Sequence, residues 1–226
     1  MYLTYVVPLS ILIPISIGLY KYKSSDSAAK SILFYLLLSG LINLVAIVMV
    51  LKFKMRNLPL LHVYTIVEAT LILNYFRIIF IEKETKRIIA FLIIVFPLLC
   101  IVNFTFIQDI FTFNTHTRPL EALLLTFLCL LYFYRSNFIE DWINKPNSWF
   151  SIGIMIYFPI AFIIFASSNY LILVSKNKEL NDVVWKVNAT LSLVMYLAFA
   201  RGFSLIKREG RNTATNMDDL QTVAHK

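Results

Sequence analysis

The chain has 226 residues, of which 59% are hydrophobic and 15% charged, and 21 Lys and Arg against 13 Asp and Glu give a formal charge of +8. Soluble domains run at about 45–50% apolar and about 25% charged, so this composition calls for lipid as the solvent. The basic residues flank apolar runs and form no nucleic-acid motif, which sets nucleic acid aside and makes membrane lipid the first expected partner.

Seven apolar stretches follow one another at about 2–20, 31–51, 58–79, 88–108, 119–138, 148–173 and 183–205. A helix needs about 20 such residues to cross the hydrocarbon core. Strands are excluded because an open sheet edge cannot face lipid. The expectation is all-α: a polytopic bundle of seven transmembrane helices over residues 1–206, then a short polar cytoplasmic tail, 207–226. No cleavable leader is expected, since the first stretch begins at residue 2 without a basic segment. Cys100 and Cys129 lie inside apolar runs and read as free, inert thiols. Trp142, Trp149 and Trp185 fall near the ends of stretches, where an aromatic belt forms.

Fourteen Lys and Arg lie in the segments after stretches one, three, five and seven, and seven lie in the alternate segments. Positive residues favour the cytoplasm, so the N-terminus is expected outside and the C-terminus inside a cell inner (plasma) membrane. Lys52, Lys54 and Arg56 run against that bias.

The polar residues inside the stretches gather toward the outer side. Stretch three opens with Leu61-His62-Val63-Tyr64-Thr65-Ile66-Val67-Glu68. Tyr64 and Glu68 share a helix face at i, i+4. Glu68 lies about 15 Å along the axis from Leu58, near mid-bilayer, where a carboxyl must be protonated, paired or wetted. Stretch five opens with Arg118-Pro119-Leu120-Glu121, placing Arg118 and Glu121 at i, i+3. Asn169 on stretch six and Asn188 on stretch seven reach the same level. The candidate ligand-binding set is therefore His62, Tyr64, Thr65, Glu68, Arg118, Glu121, Asn169 and Asn188.

No catalytic residue, metal or cofactor is expected. The three histidines are His62, His116 and His225. Only the first two could join Glu68 and Glu121 in a metal set, and His116 sits in a polar loop that reads as solvated. Lys186 is too near the end of stretch seven to carry a buried retinal. No Gly-rich phosphate loop, nucleophile elbow or HExxH helix occurs.

Three stretches, Leu61–Glu68 (LHVYTIVE), Arg118–Glu121 (RPLE) and Ser148–Phe158 (SWFSIGIMIYF), with Trp185 opening the last span, resemble small bacterial seven-helix membrane proteins. These in turn resemble the membrane sensor modules that precede sensor histidine kinases. The resemblance implies signal input here and output through a separate histidine kinase or other membrane partner. The expectation is a sensor or receptor-like protein that binds a small or lipid-like ligand between the outer halves of spans three, five, six and seven. The alternative is a small membrane enzyme or transporter acting on a lipid or hydrophobic substrate.

Overall fold

The computed structural model describes residues 2, 6–54, 57–136, 141–175 and 177–207. Within them the chain is all-α: α1 (Val7–Ser10), α2 (Leu12–Tyr20), α3 (Ser27–Leu51), α4 (Leu58–Ile79), α5 (Lys83–Val102), α6 (Thr117–Ser136), α7 (Pro146–Asn169) and α8 (Lys178–Ser204). Six of these segments, α3 to α8, are long and apolar enough to cross a membrane. The first expected span is the exception. Val7–Tyr20 is a shorter apolar helix, interrupted at Ile11. Pro14 supplies the reason: it has no N–H for the Ser10 carbonyl, and its ring crowds that carbonyl. At 1.5 Å per residue the described helix rises about 21 Å, against about 30 Å of hydrocarbon. Among the described residues, six of the seven expected spans are thus long enough to cross, and the first is represented by the shorter helix Val7–Tyr20. Residues 208–226, with His225, and the basic residues Arg56 and Lys176 lie outside the described residues.

Local chemistry sets the helix ends. The Asp26 side chain accepts from the Ala29 N–H at 2.8 Å and starts α3. Asn177 does the same for Leu180 at the start of α8, at 3.0 Å. Pro59 and Pro146 sit in the first turns of α4 and α7, where a missing N–H costs little. Two helices run on into π-helical turns that periodicity did not foretell: α5 into Asn103–Ile107 and α7 into Tyr170–Ser175.

Successive helices run up and down. The amino end of the bundle carries the 108–116 connection, the end of α3 and the starts of α4 and α8. The carboxyl end carries the 21–26, 80–82 and 141–145 connections and Ile206. Polar contacts help tie the carboxyl end together: Arg135 pairs with Glu82 at 2.7 Å, and Lys21 Nζ donates to the Ile206 carbonyl at 2.6 Å. At the amino end Tyr2 and Thr190 hydroxyls meet at 2.9 Å.

The main core lies in the carboxyl half and is aromatic. Phe150 on α7 packs edge-on against Phe203 (4.9 Å between centroids), Phe199 (5.9 Å) and Tyr75 (6.2 Å). Gly202 allows this. A Cβ there would lie 2.6 Å from the Phe150 ring. Cys100 and Cys129 are buried free thiols.

Candidate functional site

α4 and α6 bring three charged side chains together inside the bundle. Glu68 and Glu121 are fully buried and Arg118 is 2% exposed. Arg118 Nη1 donates to Glu68 Oε2 and to Glu121 Oε2, the latter at 2.7 Å. Its Nη2 reaches the Tyr157 hydroxyl on α7 at 3.4 Å. Charges in hydrocarbon need partners, and here each has one. The pairing answers the question that Glu68 posed at mid-span.

Tyrosines complete the shell. Tyr64 OH donates to Glu68 Oε1 at 2.9 Å, and Tyr35 OH on α3 donates to the same oxygen at 2.8 Å. Ser39 lies 3.2 Å from the Tyr64 hydroxyl. The guanidinium carbon of Arg118 sits 5.2 Å from the Tyr64 ring centre and 5.1 Å from that of Phe165. Rings at this range attract a cation through their quadrupole. The cluster therefore ties α3, α4, α6 and α7. Arg118 Nε and Glu121 Oε1 have no hydrogen-bond partner among the described residues.

Arg118 is aimed by its helix start. Asn114 is fully buried, and its Oδ1 accepts from the Thr117 N–H at 3.0 Å, the Thr117 hydroxyl at 2.9 Å and the Arg118 N–H at 3.2 Å. Its Nδ2 donates to Thr65 Oγ1 at 3.2 Å, and Thr65 in turn donates to the Leu61 carbonyl. The amide thus fixes α6 against α4. The same loop is held on every side. Gln108 Nε2 donates to the Phe113 carbonyl at 2.8 Å and to Thr115 Oγ1 at 2.9 Å. Asn169 Nδ2 donates to Thr115 Oγ1 at 3.1 Å. His62 Nε2 faces the Thr112 carbonyl at 3.2 Å, so that nitrogen carries the proton. His116, exposed, meets Asn103 Oδ1 at 3.0 Å.

Beside the cluster lies a cleft of about 220 Å³. Tyr64, Phe113, Phe165 and Trp185 line it with aliphatic side chains, and Asn43 and Asn57 add amides. No charged side chain lines it among the described residues. Trp185 packs on Phe113 at 5.6 Å and on Phe165 at 5.8 Å. Tyr64 and Phe165 therefore face both the cleft and Arg118.

The eight sequence candidates thus separate. Tyr64, Glu68, Arg118 and Glu121 meet in one cluster. Thr65 joins it through Asn114. His62 and Asn169 hold the 108–116 loop. Asn188 is hydrogen-bonded to none of them, and its Oδ1 is unpartnered among the described residues. Of the candidates only Tyr64 lines the cleft, which lies against α3, α4, α7 and α8 rather than α6. Sequence reasoning missed Tyr35, Ser39, Asn114, Phe113 and Tyr157. Asn114 left a readable signal: an Asn just ahead of a Thr-Arg-Pro helix start is a capping pattern. Tyr35 and Ser39 left none, being ordinary residues of an apolar run. Among the described residues, no three His, Cys, Asp or Glu side chains converge as a metal set. Comparison with protein-family models, with curated proteins and with solved structures finds no match.

Proposed function

We propose that this chain is a sensor or receptor-like protein of a bacterial inner membrane that takes a small or lipid-like ligand in the amino-end cleft. Its signal passes to a separate partner, of the histidine kinase type, at the cytoplasmic face. The two-to-one excess of Lys and Arg in the carboxyl-end segments supports an orientation with the N-terminus outside.

One observation carries the reading. Tyr64 lines the cleft and also hydrogen-bonds Glu68 of the buried charge cluster. A ligand that moves this ring, or competes for its hydroxyl, changes what Glu68 and Arg118 hold. Arg118 links α4, α6 and α7, so the altered pairing biases the relative position of three helices that run to the opposite end. The aromatic lining suits a mostly apolar molecule with one or two polar groups.

Native mass spectrometry of the protein in nanodiscs tests this. The wild type should retain a specific organic mass. Leu61→Trp, which fills the cleft, should lose it, and Tyr64→Phe should weaken it. If no form retains anything, the polar cluster is helix glue and the sensor reading falls. If the isolated protein instead turns over a lipid or moves protons across liposomes, it is an enzyme or transporter.

A further inference from the structure

A second concave site lies at the carboxyl end, away from the charge cluster. It is a groove of about 520 Å³ between the start of α3, the end of α4 and the start of α5. Its lining includes Ser27, Arg77, Lys86 and Arg87, together with Ala90, and no acidic side chain among the described residues. We propose that this groove binds the phosphate of an anionic phospholipid. This is independent of the sensor reading.

One cation of the wall, Arg77, is held in place by hydrogen bonds. Arg77 Nη2 donates to Asn74 Oδ1 at 3.1 Å, Asn74 Nδ2 donates to Ser31 Oγ at 3.2 Å, and Ser31 Oγ donates to the Leu71 carbonyl at 3.0 Å. This chain of bonds holds the end of α4 against α3. The nearby acids are occupied or turned away. Glu82 pairs with Arg135, and Asp26 caps α3 through Ala29. Glu84 is exposed and does not line the groove.

The surroundings identify the phosphate as a lipid's. Arg87, Phe91, Ile94 and Leu98 fall at i, i+4, i+7 and i+11 on α5, one helical stripe running from the groove toward mid-bilayer. Phe91, Ile94 and Leu98 are 62%, 65% and 56% exposed. Phe34 and Leu41, seven and fourteen residues beyond Ser27, repeat the pattern on α3 and are also exposed. The half-buried face of α4 at Val67, Thr70, Leu71 and Asn74 lies between them. A headgroup phosphate in the groove would lay its acyl chains along these stripes, whereas free phosphate would make no use of them. Positive residues at the cytoplasmic surface draw anionic lipid in the same way.

The test uses nanodiscs of mixed dioleoylphosphatidylglycerol and dioleoylphosphatidylcholine, with native mass spectrometry of the retained lipid. The wild type should prefer the anionic lipid by roughly tenfold. The triple variant R77Q/K86Q/R87Q should bring the ratio near parity. The control K23Q/K145Q/K207Q removes as much charge from exposed positions outside the groove and should keep the preference. Ala90→Trp fills the groove without changing charge and should act as the triple variant does, which covers poor folding of the latter. An undiminished preference in the triple variant and in Ala90→Trp overturns the proposal. So does an equal loss in the control, or displacement of the lipid by millimolar inorganic phosphate.

Discussion

At the amino end the interior of the bundle holds carboxyls, a guanidinium, hydroxyls and amides; toward the carboxyl end its interior is packed chiefly with rings. Glu68, Arg118 and Glu121 hold the first with discrete bonds, next to a cleft of about 220 Å³. Phe150, Phe199 and Phe203 hold the second by contact, each fully buried. Both π-helical turns, Asn103–Ile107 and Tyr170–Ser175, belong to the amino end. Such turns gather at functional sites, because the widened turn re-aims side chains and frees backbone groups. Hydrogen bonds exchange partners with small movements, whereas close-packed rings move as a body. One half is thus held by bonds that can exchange and the other by packing that cannot shift piecemeal.

The largest expected effect breaks the amino end. Arg118→Met leaves two buried carboxyls without their cation and should destabilise the fold by about 3–5 kcal/mol. Unfolding by titration with a denaturing detergent measures it. The triple variant E68Q/R118M/E121Q removes the charges together and should recover much of that loss, since a buried pair is worth little against neutral replacements. If Arg118→Met costs under about 1 kcal/mol, the cluster does not hold the helices, and the contrast between the halves is lost.

A smaller effect is expected from the carboxyl end. Gly202→Ala places a methyl 2.6 Å from Phe150, whose ring is already hemmed in by Phe199, Phe203 and Tyr75. Overpacking of this kind costs about 1–3 kcal/mol. Gly40→Ala is the matched control: its methyl would meet Ile15 Cδ1 at 3.6 Å, an ordinary contact, and should be near neutral. Retention of the ligand proposed for the cleft should stay unchanged in Gly202→Ala. A loss there would show that the two halves are coupled through packing and not through Arg118.

These residues also show what could be read from the sequence. Glu68 and Arg118 stood out because charge within an apolar run needs a partner, and i, i+3 spacing already joined Arg118 to Glu121. Their meeting across α4 and α6 could not be read, since helix spacing says nothing of which neighbours pack together. Tyr35 stayed hidden for the same reason: its phenol becomes a donor to Glu68 only because α3 packs on α4. The six long spans were legible from length and hydropathy. The break at Ile11 was not, because Pro14 acts through one lost backbone bond that an apolar average does not register. Arg77, Lys86 and Arg87 read as flanking charge, a topology signal in contact with lipid, but the groove did not, for its shape depends on three helix ends.

The smallest effect belongs to a pair that looks alike on paper. Asp182 and Lys186 form an i, i+4 ion pair on α8, with side chains 54% and 55% exposed. The order, acid before base, suits the helix dipole, but water screens both charges and two long side chains lose freedom in pairing. Lys186→Gln should change stability by less than about 0.5 kcal/mol and leave retention of the proposed ligand unchanged. Denaturing-detergent titration beside Arg118→Met makes the comparison within one protein. The two pairs share charge types and close contact, and differ in burial and in the number of helices they join. A cost for Lys186→Gln near that of Arg118→Met would mean that burial does not set the difference between them, and that the α8 end is held by its charge.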